Sequence, residues 1–240
     1  MSNPIFCALD VPGVDEALSL GRRIAPHVGG LKLGLEFFCA VGPEGIRRVA
    51  EEAGLPIFLD LKFHDIPNTV AGAVRSVMAL KPAILTVHAT GGRAMLEAAG
   101  NAAREEAARL GCEPPKVVAV TVLTSMDAGD LNAVGVAASP ADQVARLADL
   151  VRASGLDGTV CSPREVAAVK AAWPEAFTVV PGIRPTGSAV GDQKRVMGPQ
   201  EALEAGASVL VIGRPITEAA DPAAAAEAIA AGIGAQSVTR

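Results

Sequence analysis

Residues 57–78 read IFLDLKFHDIPNTVAGAVRSVM and hold one complete strand-and-helix unit. Ile57 to Leu61 is a short, largely apolar run, the pattern of a parallel strand covered on both faces. Val70, Val74, Val77 and Met78 then recur at i, i+4, i+7 and i+8, which is one face of a helix. Asp60, Lys62 and Asp65, two acids and a base, gather where the strand runs out.

The same unit recurs in both directions along the chain. The strand candidates are Ile5 to Leu9, Gly30 to Leu33, Ile57 to Leu61, Ile84 to Val87, Val117 to Val122, Gly158 to Cys161, Thr178 to Val180 and Val209 to Ile212. Helical patterns alternate with them, at 14–24, 43–53, 92–110, 163–172, 199–205 and 221–231. A further helix follows the cap Ser139-Pro140, with Val144, Leu147, Ala148 and Val151 on one face. Eight strand–helix units in a chain of 240 residues match a (β/α)8 TIM barrel, whose typical size is about 250 residues. A doubly wound sheet usually has fewer strands, and no GxGxxG follows the first strand. No Pro/Ser-rich linker interrupts the pattern, so residues 1–240 are read as a single domain.

Composition narrows the function classes. The formal charge is -5 and no basic stripe is evident, which argues against nucleic acid as a partner. There is no Tyr and one Trp, too few for an aromatic platform under single-stranded bases. Cys7, Cys39, Cys112 and Cys161 show no CxxC spacing and are expected to be reduced, mostly buried thiols rather than disulfides or metal ligands. No apolar run reaches the roughly 18 residues of a membrane span, so the expectation is a cytoplasmic protein.

In barrels of this kind the chemistry sits at the C-terminal ends of the strands. The polar residues there are Asp10, Lys32, Asp60, Lys62, His88, Thr124, Arg184 and Arg214. Asp60 and Lys62 are two apart on a strand, so alternation turns both to one face, into the barrel mouth. Lys32 ends the neighbouring strand and reaches the same space. Such a pair at ~4 Å interacts by roughly 4 kcal/mol at an effective dielectric of 20, enough to hold a defined array. The bland alternative is a buried ion pair that only sets strand register. His64 reads as a residue that orients its loop, and His88, which ends strand four, as a satisfied rim residue.

The last strand runs into VIGRPIT, where Gly213 admits a close ligand, Arg214 offers a planar charged fork and Thr217 can cap the next helix. The loop after strand seven, PGIRPTGSAVGDQKR, carries Arg184 and Gln193 and reads as a lid. Barrels often bind phosphate in these two loops.

The residues quoted so far, taken in order, resemble the orotidine 5'-phosphate decarboxylase family. DLKFHDIPNT resembles its DxKxxDI signature. ALDVP with Asp10, LKLGLEFF with Lys32, TVLTS with Thr124, PGIRP with Arg184, GDQKR with Gln193 and VIGRPIT with Gly213 and Arg214 follow in the same order. The resemblance implies a homodimeric barrel of the ribulose-phosphate-binding type, using no cofactor and no metal. It implies conversion of orotidine 5'-phosphate to UMP and carbon dioxide in pyrimidine synthesis. It implies Lys62, Asp60, Lys32 and Asp65 as the catalytic set, with Lys62 as proton donor and Lys32 paired to Asp60. Asp10, Lys32, Ile66, Thr69, Thr124 (or its neighbour Ser125), Arg184, Gln193, Gly213 and Arg214 would bind substrate. Asp65, Ile66 and Thr69 would do so across the dimer interface. The nearest rival is a metal-dependent barrel decarboxylase acting on a sugar-acid phosphate, which shares the Asp-x-Lys core. The HDIPNT and PGIRP stretches argue against it.

Overall fold

The computed structural model describes residues 3–185 and 197–234. Eight strands close into one barrel in chain order: β1 (Ile5–Ala8), β2 (Gly30–Gly34), β3 (Ile57–Phe63), β4 (Ile84–His88), β5 (Lys116–Val120), β6 (Gly158–Val160), β7 (Phe177–Val180) and β8 (Val209–Ile212). Every neighbouring pair is parallel, and β1 pairs with β8 to complete the ring. The helices are α1 (Val14–Ile24), α2 (Leu35–Ala53), α3 (Pro67–Val77), α4 (Arg93–Leu110), α5 (Ala128–Ala133), α6 (Pro140–Ala153), α7 (Val166–Ala172), α8 (Pro199–Glu204), α9 (Arg214–Thr217) and α10 (Pro222–Gly232). The expected TIM barrel is therefore observed.

Strand alternation divides the apolar residues into two layers. Phe6, Phe58, Ile84, Val118, Val179 and Val209 fill the barrel interior. Leu31, Leu33, Leu59 and Leu61 point outward, where they join Phe37, Ile46, Val49, Val70 and Val74 from the helices. Each such side chain taken from water contributes roughly 1.5–3 kcal/mol. Filling the interior sets a size limit on β2: a Cβ at Gly30 would lie 2.2 Å from the Phe6 ring. Glycine at that position makes room for the phenylalanine.

Local chemistry sets the helix ends. Pro67 opens α3 and Pro140 opens α6, where Ser139 Oγ accepts from the Asp142 N–H at 3.1 Å. The expected start of a helix at 43 is only half of α2. Residues 35–41 are also helical, and Gly42 (φ 65°) breaks the element before Pro43 restarts it. Thr217 does not cap the helix after it. It ends α9, and Asp221 caps α10 through the N–H groups of Ala223 and Ala224.

Cys7 and Cys161 are buried, whereas Cys39 is exposed and Cys112 partly so, and all four thiols are free. The expectation of mostly buried cysteines thus holds for two of them. Burial pushes the Cys7 thiol up to about 12, against a smaller opposing pull from Lys32. Among the described residues no helix is long and apolar enough to cross a membrane.

Candidate active site

The strand ends of one rim gather around two adjoining cavities. The wider, of about 580 Å³, is lined by Asp10, Lys32, Asp60, Arg184, Gly213 and Arg214, among others. The narrower, of about 190 Å³, has an apolar wall that includes Phe58, Val120, Val122 and Val160, with Lys62 and Thr124 at polar positions. Asp60, Pro181 and Val211 line both, so Asp60 stands at their junction.

Lys62 Nζ donates to Asp60 Oδ2 at 2.7 Å. Alternation anticipated this pairing, but regular strand geometry does not produce it. Lys62 lies in the left-handed region, φ 50°, and the β3–β4 register shifts between Leu59 and Phe63. A non-glycine residue held there costs about 1–3 kcal/mol, a cost that concentrates at functional sites. The Asp60 and Lys62 side chains keep 12% and 28% of their exposure, so the pair is largely withdrawn from water. Its geometry does more to fix position than to add net stability.

Lys32 departs from expectation. Its Nζ donates to Asp10 Oδ1 at 2.8 Å, not to Asp60. The register explains why. Lys32 lies opposite Ala8 on β1, two residues before Asp10, and opposite Phe58 on β3, two residues before Asp60. It can reach either acid, and Asp60 is already engaged by Lys62 Nζ and by Thr86 Oγ1, which donates to Asp60 Oδ1 at 2.9 Å. Two acid–base pairs result, Asp10–Lys32 and Asp60–Lys62.

Asp65, Ile66 and Thr69 do not join this cluster within their own chain. All three are exposed, Ile66 at 67%, and Asp65 Oδ1 accepts the Ile66 N–H at 2.7 Å in a local turn. Thr124 lines the narrower cavity while Ser125 is exposed. Gly213 and Arg214 lead into α9, and Arg184 is pinned by its N–H to the Met197 carbonyl, beside an Ile183–Met197 bridge. Gln193 and the expected lid lie outside the described residues. His88 is half-buried, its ring 5.4 Å from that of His64. Burial lowers its pKa below the usual 6.5, with His64 and Lys62 adding to the effect and Asp60 opposing it.

Sequence reading missed Thr86 and the apolar wall of the narrower cavity. Both carried a signal. Thr86 is the polar residue two after inward-facing Ile84, and Val120 is two after inward-facing Val118. Among the described residues no cluster of three or more His, Cys, Asp or Glu side chains suits a metal ion.

A closed parallel barrel with paired acids and bases at its strand ends, and two arginines close by, defines the class of (β/α)8-barrel enzymes. A family model described as "Orotidine 5'-phosphate decarboxylase / HUMPS family" matches residues 3–229, and the chain belongs to that family. It is 58% identical over 231 residues to the orotidine 5'-phosphate decarboxylase of Novosphingobium aromaticivorans, covering 96% of this chain and 99% of that one. The enzyme of the same name from Rhodospirillum rubrum is 58% identical over 229 residues, covering 95% and 93%. The crystal structure of orotidine 5'-phosphate decarboxylase from Lactobacillus acidophilus superposes with a TM-score of 0.85 at 36% identity, covering 97% of this chain and 100% of that one.

Proposed function

We propose that the chain decarboxylates orotidine 5'-phosphate to UMP and carbon dioxide, with Lys62 as the proton donor. The observation that carries this reading is the Asp60–Lys62 pair, with Asp60 at the junction of a wider cavity lined by both acids and bases and a narrower, largely apolar one. The family model's description carries two names; the relatives at 58% identity carry the decarboxylase name. The whole chain acts as one catalytic barrel.

The chemistry is hard because the departing carboxylate leaves its electron pair in an sp2 orbital on C6, out of reach of the ring π system. In the proposed arrangement the pyrimidine enters the narrower cavity, whose valines exclude water, and Thr124 meets its polar edge. The C6–carboxylate bond breaks, its electron pair stays on C6, and the Lys62 ammonium stabilises that charge. Lys62 then delivers its proton to form the C6–H bond, and solvent reprotonates the amine. Asp60 orients Lys62 and lies beside the carboxylate that leaves.

Ribose and phosphate occupy the wider cavity. Asp10 and Lys32, already paired, meet the ribose hydroxyls. Arg214, the Gly213 backbone, Arg184 and Gln193 hold the phosphate. Binding energy gathered there orients the distant reacting carbon. Two copies form the working dimer, with Asp65, Ile66 and Thr69 of each completing the other's site. Their exposure, and their absence from the walls of their own cavities, support this. Substrate and product are nucleotides, and we place the enzyme in the cytoplasm.

The side-chain mechanism needs no metal or cofactor. The expected result is full turnover of orotidine 5'-phosphate, followed by absorbance, in buffer containing EDTA. Activity that vanishes on chelation and returns with a divalent cation would overturn the reading in favour of a metal-dependent barrel decarboxylase.

A further inference from the structure

Strand β4 places one side chain in the site that the proposed chemistry leaves unused. Thr86 is completely buried. Its Oγ1 lies 2.9 Å from the backbone nitrogen of Lys62 and 2.9 Å from Asp60 Oδ1. A hydroxyl has one proton to give and lone pairs to receive others. The Lys62 N–H can only donate, so it points at the Thr86 oxygen. An ionised Asp60 can only accept, so the hydroxyl proton points at Oδ1. Both ends of the hydroxyl are thereby committed.

The location adds to this. Lys62 is in the left-handed conformation, inside the register shift between β3 and β4. On its other side β4 pairs with β5 without interruption from Ile84 to His88, with Thr86 opposite Val118. Thr86 therefore joins a regular part of the barrel to its irregular corner. One hydroxyl holds both the backbone of the lysine and the carboxylate that its ammonium meets.

We propose that Thr86 is a positioning residue for the decarboxylation: its hydroxyl locks the Asp60 carboxylate and the left-handed Lys62 backbone into the arrangement that aims Nζ at the reacting carbon. This rests on the reading of Lys62 as proton donor. Shape alone cannot do the same work, because a β-branched side chain without the hydroxyl would fill β4 equally well and leave both partners unanchored.

Thr86→Val keeps the shape and removes the hydroxyl, while Thr86→Ser keeps the hydroxyl. Turnover by the parent tests the proposed function separately from this inference. In a folded Thr86→Val enzyme, kcat should fall on the order of 10²-fold, as for a misplaced reacting group, with KM little changed. Thr86→Ser should return kcat close to the parent. Should Thr86→Val fail to fold by circular dichroism, Thr86→Ala is held to the same criteria, and Thr86→Ser decides if neither folds. A folded Thr86→Val with the parent's kcat overturns the proposal, as does a loss confined to KM or a serine variant as impaired as the valine.

Discussion

The two ends of the barrel both bury polar side chains, and they use them differently. At the foot, Thr178 Oγ1 donates to the Gly206 carbonyl at 2.9 Å and accepts from the Ser208 N–H at 3.1 Å. Asn3 accepts from the Ile5 N–H at 3.0 Å and donates to the His27 carbonyl at 2.9 Å. These bonds are mostly neutral, tie side chain to backbone, and sit where strands begin. At the rim the neutral Thr86 hydroxyl is joined by the charged Asp60, Lys62 and Lys32, whose side chains meet other side chains and line the cavities. The rim also carries the left-handed Lys62. The foot ties strand beginnings to one another and serves stability, although it too holds a left-handed residue, Lys81, before β4; the rim keeps charge where a ligand can use it.

The contrast breaks most visibly at Lys62. Lys62→Ala should lower kcat by on the order of 10³-fold or more, as expected when a group stabilising transition-state charge is lost. UMP should still bind, which calorimetry can check. Mixed with Asp65→Ala chains under proven subunit exchange, it should recover activity, because a heterodimer holds one intact site. No recovery would remove Asp65 from the shared site.

The foot should respond the other way. Thr178→Val leaves the Gly206 carbonyl short of its donor, while the Ser208 N–H keeps the Thr178 backbone carbonyl, at a cost of roughly 1–3 kcal/mol. That should lower Tm by several degrees with kcat and KM at parent values. A fall in kcat with unchanged Tm would erase the division between the two ends.

The smallest effect belongs to His88. Its pKa in the fold is lowered below the usual 6.5. The unfolded chain therefore binds the proton more readily, and stability falls as pH drops from about 6.5 toward the folded value. Asp60, Lys62 and His64 are the charged or titratable groups that act on it. Denaturant unfolding of His88→Gln across pH 5 to 8 should show a shallower decline than the parent. An identical decline would remove His88 as its source.

The barrel was legible because each strand and helix announces itself locally. Val209 to Ile212 and the helix at 14–24 appear at their expected bounds. A Gly-Pro step obscured residues 35–41, because it reads as the beginning of a helix when it is a break inside one. Ion-pair partners were less legible. Lys32 has an acid within reach on either side, and only the competition for Asp60 decides that it takes Asp10.

The sequence by itself determined which residues are apolar, with what period, and therefore that eight strands alternate with helices around a charged rim. Those are properties of neighbours along the chain. The tertiary structure alone decided that Lys62 leaves the extended conformation, that Thr86 reaches across 24 and 26 residues to hold Lys62 and Asp60, and that two cavities meet at one carboxylate. These depend on strand register and on what the barrel interior has room for, and no local pattern contains either.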